Sequence, residues 1–329
     1  MRVSFSVQVG LLWGLVCVAS SACSSSSSNP SPSVGGASED VVRGIPGDIQ
    51  EGALKDVSGD LVEDVAEDVL GDAPEDVAPD QAASLCEDLA SAYVTNPNPA
   101  PDPLYSGTVW FDPHIIVAQD PSSFQSLSYK GQQLRQMYDR RTASFNMENP
   151  HLFDAVFGAQ SQVVVEIQVN PEFDQLTAQG HAQRYAEVVG KLPAFYFRDL
   201  QTMWIHAGKE LFGGGNNNFL IHVEQGEEYE RDGVLEEVFL HEGGHTSLDA
   251  YHASAPLWSQ AQSADGVSIS NYGRDYPVRE DLSETIGPYL AVTYRADRLP
   301  AEKIDTLRAS IPNRLKYLSC QGFDMQILK

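Results

Sequence analysis

The segment His241-Glu242-Gly243-Gly244-His245 has the pattern HExxH and decides how the rest of the chain is interpreted. Residues four apart lie one turn above each other on the same face of an α-helix. His241 and His245 can therefore direct ring nitrogens at one Zn²⁺ ion, which prefers nitrogen ligands at about 2.0–2.1 Å. Glu242 lies beside that face, where its carboxylate can accept a proton from an activated water. Chance is the alternative for so short a motif, so its context has to decide.

The predicted helix that carries this motif covers residues 233–250 and contains two adjacent glycines. Gly243 and Gly244 each cost about 1 kcal/mol relative to alanine in a helix interior. A sequence that departs from local propensity at one point usually does so at a functional or tightly packed site. We expect the glycine pair to let another part of the backbone approach the turn that bears the histidines.

The segment before this helix predicts a mixture of strands and helices. Alternating and β-branched residues predict strands at residues 108–111, 114–117, 163–169 and 202–206. Helices are predicted within residues 129–145, around Tyr138-Asp139-Arg140-Arg141, and at residues 178–190.

A glycine-asparagine run at residues 213–218 predicts a hairpin or loop with positive φ angles. Residues 219–223 follow it and precede the HExxH helix. We expect them to form an edge strand that could hold an extended peptide through main-chain hydrogen bonds. His222 on that strand is interpreted as a surface histidine, with a substrate contact as the alternative.

A catalytic zinc site needs a third protein ligand, and three residues are candidates. Asp249 lies eight residues beyond His241, about 12 Å along a straight helix, and is expected to be a neighbouring hydrogen-bonding group. His252 could be the third ligand only if the helix ended before it. It lies one residue beyond the position where the metzincin pattern has its third histidine. Glu280 is the best candidate because it begins a predicted helix with Glu284 one turn further on. Glu284 would accept a hydrogen bond from a ligand histidine; the alternative for both is a solvated acidic helix start.

Three segments together resemble the catalytic domain of the anthrax-lethal-factor-like gluzincin metallopeptidases. They are the HExxH motif with Asp249, then Ser270-Asn271-Tyr272-Gly273-Arg274, then Glu280-Asp281-Leu282-Ser283-Glu284. The resemblance covers residues 219–324, which is less than half of the chain.

The resemblance implies a set of roles. His241, His245 and Glu280 would bind one zinc ion per chain, and Glu242 would be the catalytic base. Tyr272 would stabilise the oxyanion through its hydroxyl group, although the spacing to Glu280 is about one residue longer here than in the family. A packed aromatic residue is the alternative for Tyr272.

The expected fold class is α+β and zincin-like: a mixed sheet with an edge strand and the HExxH helix, followed by a mainly helical C-terminal lobe. The expected function is zinc-dependent hydrolysis of peptide bonds in a peptide or protein substrate. One alternative is a catalytically silent surface lipoprotein that uses a zincin fold to bind a partner. A zinc hydrolase that does not act on peptides is another.

The N-terminus predicts export. Residues 1–22 contain Arg2, a short apolar run and small residues directly before Cys23. This pattern, followed by a serine-rich stretch, resembles a bacterial lipoprotein signal, which implies cleavage before Cys23 and lipidation of that cysteine. The membrane partner would then be reached through the lipid, at the outer membrane or cell surface of the bacterial envelope. An ordinary secretory signal, with release of the protein, is the alternative.

Charge divides the remainder into a tether, residues 23–84, and a domain, residues 85–329. Residues 39–80 carry 14 acidic and two basic side chains, which predicts a disordered, self-repelling spacer. The net charge of −25 argues against nucleic acid as a partner. In an exported domain we expect Cys86 and Cys320 to form a disulfide, with two free buried thiols as the alternative.

Overall fold

The computed structural model describes Cys86 and residues 88–328. The predicted signal peptide, the predicted lipidation site at Cys23 and the predicted tether all lie outside the described residues. Within the described part of the chain, no helix is both long enough and apolar enough to cross a membrane.

Strands dominate the chain before the HExxH motif, and helices dominate after it. The strands are β1 (Phe124–Gln132), β2 (Arg135–Asp139), β3 (Ser144–Glu148), β4 (His151–Phe157), β5 (Val163–Val169), β6 (Thr202–His206), β7 (Gly213–Gly215) and β8 (Asn218–His222). The helices are α1 (Leu89–Ala92), α2 (Gln175–Val189), a 3₁₀ turn (Ala194–Arg198), α3 (Val223–Arg231), α4 (Leu235–Ser247), α5 (Asp249–His252), α6 (Pro256–Asp265), α7 (Asn271–Asp275), α8 (Asp281–Tyr294), α9 (Ala301–Ser310) and α10 (Pro312–Cys320). The class is α+β, as predicted.

Six strands form one mixed sheet in the order β1-β4-β5-β6-β8-β7. Strands β5, β6 and β8 run parallel to one another, whereas β1, β4 and β7 are antiparallel to their neighbours. Strands β2 and β3 form a separate hairpin. The strands predicted at residues 163–169 and 202–206 are confirmed with the same bounds.

Helices cover one face of the sheet, and the β2–β3 hairpin lies against the other. On the helical side, Phe219 of β8 packs against Phe239 of α4, with ring centroids 5.3 Å apart. On the opposite side, Trp204 of β6 packs edge-on against Phe145 of β3 at 6.1 Å. The helical face holds the fully buried Val165, Ile167 and Val169 of β5, whereas on the opposite face Val164 is 55% exposed.

Two predictions for the N-terminal half are wrong. The helix predicted within residues 129–145 is instead the end of β1, all of β2 and the start of β3. Strand pairing, such as Tyr138 opposite Phe145, overrides the local helical pattern there. The strands predicted at residues 108–111 and 114–117 are turns and bends. Ile115 and Ile116 are buried as single side chains in the helical core, not as an alternating row.

The edge of the sheet beside α4 is β7, the glycine strand. The predicted hairpin is confirmed, because β7 pairs antiparallel with β8 through Asn216 and Asn217, whose φ angles are 49° and 59°. The prediction of an edge strand at residues 219–223 is wrong, since β8 lies between β6 and β7. The glycine run supplies both the turn and a strand, although glycine is rare in strands.

Cys86 and Cys320 form the predicted disulfide, with their Cα atoms 5.5 Å apart. The bond joins the segment before α1 to the last residue of α10 across 234 residues of sequence. It restrains the two ends of the domain, which reduces the conformational freedom of the unfolded chain.

Candidate metal centre

Helix α4 presents the HExxH motif from a tightly packed position in the core. A Cβ atom on Gly243 would lie 2.5 Å from the ring of Tyr196, whose hydroxyl donates to the carbonyl of Leu240 at 2.9 Å. A Cβ atom on Gly244 would lie 3.0 Å from Cα of Ser283 on α8. Gly244 therefore admits the main chain of a neighbouring helix, as predicted, whereas Gly243 admits an aromatic ring instead.

Helix α8 brings the predicted third ligand to α4. Glu280 is the residue directly before the helix, and its carbonyl accepts the first helical hydrogen bond, from the main-chain nitrogen of Glu284 at 2.8 Å. Both carboxyl side chains are buried, at 1% and 2% exposure. Such burial excludes the alternative of a solvated acidic helix start.

The side chains of His241, His245 and Glu280 converge on one point. The two Nε2 atoms lie 3.2 Å apart. Oε2 of Glu280 lies 3.5 Å from Nε2 of His241 and 3.1 Å from Nε2 of His245. Among the described residues, these three form the group of side chains able to hold a metal ion.

The outward-facing nitrogens of both histidines lie beside carboxylates. Nδ1 of His241 lies 3.2 Å from Oε1 of Glu284, and Nδ1 of His245 lies 2.7 Å from Oδ2 of Asp249. The main-chain nitrogen of Thr108 donates to the other oxygen of Glu284 at 2.8 Å. Nδ1 of His241 is within ion-pair distance of Glu284 but forms no hydrogen bond among the described residues. The contact between His245 and Asp249 is within hydrogen-bond distance and can orient that ring. The supporting roles of Glu284 and Asp249 stay predictions.

Electrostatics make the cluster a set of ion pairs. Burial alone lowers the pKa of His245, but Asp249 and Glu280 more than offset it and raise that pKa to about 10. Burial lowers the pKa of His241 in the same way, and Glu280 and Glu284 raise it well above its usual value. Burial raises the pKa of Glu280, yet the two histidines hold it well below its usual range.

Glu242 is placed differently from the other acidic residues of the site. Its carboxylate is half-buried and takes part in no hydrogen bond or ion pair within the described part of the chain. Its main chain packs directly against Gly214 of the edge strand. Within the described residues its carboxylate is therefore not committed to another side chain, while its main chain lies against β7.

Tyr272 also lies beside the cluster. Its ring is nearly parallel to that of His241, with centroids 6.5 Å apart and planes inclined by 26°. Helix α7, which carries Tyr272, begins with a cap in which the hydroxyl of Ser270 accepts from the main-chain nitrogen of Gly273 at 2.9 Å. The structure thus places the residue at the site, while its chemical role stays a prediction.

His252 and His222, both considered from the sequence, lie outside the cluster. Nδ1 of His252 lies 2.9 Å from the hydroxyl of Tyr317, in a separate aromatic cluster. His222, interpreted from the sequence as a surface residue, is fully buried, and that interpretation is wrong. It ends an interior strand under the β2–β3 hairpin, and its ring stacks on His206 at 5.5 Å.

Sequence reasoning missed one contact to the ligands. The hydroxyl of Ser283 lies 3.2 Å from Nδ1 of His245. Its spacing was the available signal, because Ser283 lies three residues after Glu280 and so on the same face of α8.

Comparison of the chain with models of protein families, with curated proteins and with solved structures finds no match.

Proposed function

We propose that this chain is a zinc-dependent endopeptidase with a zincin-like fold and a gluzincin-type site. The observation that carries the proposal is the triangle formed by two histidine nitrogens and one carboxylate oxygen. Tetrahedral zinc ligands at about 2.0–2.1 Å lie about 3.3–3.4 Å from one another. The three edges of the triangle, 3.1, 3.2 and 3.5 Å, are close to that spacing.

The types of ligand support zinc and a catalytic role. Two histidines and one carboxylate leave a fourth coordination position open, which is the composition of catalytic zinc sites. The carboxylates beside the outer nitrogens of His241 and His245 favour the tautomer that leaves each Nε2 free to bind.

The residues divide the chemistry among them. A zinc ion held by His241, His245 and Glu280 would supply Lewis-acid activation of a water molecule and of the scissile carbonyl. Glu242 takes the proton from the attacking water and passes it to the amide nitrogen as the peptide bond breaks. The hydroxyl of Tyr272 donates to the oxyanion that develops on the carbonyl oxygen.

The edge strand supports a peptide as substrate. Among the described residues, Gly213–Gly215 has a neighbouring strand on one side alone, and its three glycines carry no side chains. The main-chain nitrogen of Gly215 donates to the hydroxyl of Thr246 on α4 at 3.0 Å. An extended peptide can add to this edge through main-chain hydrogen bonds. Because Gly214 contacts the main chain of Glu242, a peptide on β7 would pass beside the catalytic base.

The cellular setting is part of the proposal. Export and lipid attachment at Cys23 would display the domain on the bacterial envelope, where the disulfide between Cys86 and Cys320 is stable. Peptides or proteins outside the cytoplasm would then be its substrates.

The decisive experiment combines metal analysis with peptide cleavage by the full chain. We expect one zinc per chain and cleavage of a quenched-fluorescence decapeptide library that stops on chelation and returns with zinc. Glu242→Gln should keep zinc and lose cleavage, whereas Glu227→Gln, at an exposed position on α3, should retain both. Full activity of Glu242→Gln would refute the assignment. Bound zinc without cleavage of any library member would favour the silent binding protein.

A further inference from the structure

Arg140 has a guanidinium group without a partner, which distinguishes it from the other cations of the domain. Its Nη1 atom is buried and forms no hydrogen bond within the described residues. Every other described lysine or arginine forms an ion pair or donates to a main-chain carbonyl. Arg140 is therefore the exception among the described cations of a chain whose net charge is −25.

The neighbouring residue, Arg141, shows that acidic partners are available in this part of the domain. Arg141 donates to both carboxylate oxygens of Asp139 and to Glu172, at 2.7 to 3.1 Å. Both arginines belong to the tight turn between β2 and β3, where Ala143 has a φ of 48°. The side chain of Arg141 is therefore held by acidic groups of the domain, whereas that of Arg140 is not.

Arg140 points to the edge strand. A Cβ atom on Gly213 would lie 2.9 Å from its Nη2 atom, so the guanidinium occupies space that a side chain on β7 would fill. The next residue, Gly214, contacts the main chain of Glu242 on the other face of the strand. The guanidinium of Arg140 and the main chain of Glu242 thus flank adjacent residues of β7.

Tyr229 links the two groups electrostatically. Burial is the main cause that raises the pKa of its hydroxyl; Glu242 raises it further and Arg140 lowers it. Tyr229 thus lies within electrostatic reach of both the base and the cation. A peptide laid along β7 would pass the same region.

A half-buried guanidinium without an acceptor costs free energy that an incoming carboxylate would recover. The planar fork of arginine matches a carboxylate with two parallel hydrogen bonds, and such charge-assisted bonds are the stronger ones. An amide of the same shape would recover much less.

We propose that Arg140 forms a subsite for an acidic side chain, Asp or Glu, of a peptide bound along β7. This inference rests on the proposed peptidase function. It adds a preference at one position of the substrate, close to the scissile bond because Gly213 and Gly214 are neighbours.

The test compares decapeptides in which one position at a time is Asp, Asn, Lys or Leu. With the zinc-loaded full chain, we expect kcat/KM at one position to be about tenfold or more higher for Asp than for Asn. Arg140→Gln should reduce this ratio to about one. Arg140→Glu should favour Lys at that position. The matched control is Arg135→Gln, in the same hairpin, where the native arginine is paired with Glu166.

A binding measurement separates failure of this inference from failure of the proposed function. Fluorescence anisotropy with the zinc-loaded Glu242→Gln chain reports the affinity for the Asp and Asn peptides whether or not cleavage occurs. A preference for Asp that disappears when Arg140→Gln is added supports the subsite. Equal affinities for Asp and Asn, or a preference that survives Arg140→Gln, would overturn it.

Discussion

The guanidinium of Arg314 donates to both carboxylate oxygens of Asp281, at 2.8 and 3.0 Å. Asp281 directly follows the candidate ligand Glu280, and Arg314 lies on α10, the helix that ends at the disulfide. Arg314 also pairs with Asp265 of α6, and all three side chains are at most 3% exposed. One buried cation therefore ties the start of α8, and with it the ligand, to the C-terminal part of the domain.

Arg314→Met should destabilise the fold strongly. The change leaves two buried carboxylates without their cation, which costs about 3–5 kcal/mol in comparable cases. Urea unfolding of the metal-free chain measures the loss. Arg184→Met is the control, because Arg184 pairs with a largely exposed Glu230 and should cost about 1 kcal/mol or less. Equal losses of unfolding free energy in the two variants would show that the buried triad stabilises the fold no more than a surface ion pair does.

Gly243→Ala should destabilise the domain by about 1–3 kcal/mol, although alanine is the better helix former. Its methyl group would overlap the ring of Tyr196, which is fixed by its bond to Leu240. Gly180→Ala in α2 is the matched control, since nothing lies within 4 Å of its added Cβ atom. That change should stabilise the protein by about 0.5–1 kcal/mol. Thermal unfolding of both variants checks the prediction, and stabilisation by both would contradict it.

The parts of the site that depend on local spacing could be predicted from the sequence. Residues four apart on one helix must share a face, so the pairing of His241 with His245 and the placing of Glu284 near a ligand follow from helical geometry. Long-range pairing is different. Nothing within residues 213–223 says that the glycines pair outside β8, or that a hairpin from residues 135–148 covers His222. Those outcomes depend on contacts between distant segments, where tertiary context outweighs local propensity.

Acid should destabilise the domain through His252. Burial lowers the pKa of this histidine to about 4, whereas an unfolded histidine titrates near 6.5. Between these values the unfolded chain binds more protons, so the free energy of unfolding falls as the pH drops from about 6.5 to 4, by up to about 3 kcal/mol. His252→Phe removes one titrating group and should reduce the slope in urea titrations of the metal-free chain, while His222, whose pKa burial also lowers to about 4, continues to contribute. Parallel curves for the variant and the unchanged protein would refute the assignment.

Metal content distinguishes the ligand from the residues that orient it. Glu280→Gln replaces the carboxylate that closes the triangle, so the chain should retain well under one zinc after dialysis. Asp249→Asn leaves the three ligands intact but weakens the group that holds Nδ1 of His245, at 2.7 Å. It should keep zinc with about 10–100-fold lower affinity in a chelator competition.

Glu227→Gln, at an exposed position away from the triangle, should match the unchanged chain in both measurements. If Glu280→Gln retained one zinc per chain, the prediction would be wrong and Asp249 or His252 would have to be the third ligand. The structure argues against His252, because its ring nitrogen faces Tyr317 at 2.9 Å instead of the two motif histidines. It argues against Asp249 too. The Asp249 carboxylate contacts Nδ1 of His245, whereas Nε2 of His245 is the atom that faces His241. Of these three variants, we therefore expect zinc to be lost in Glu280→Gln alone.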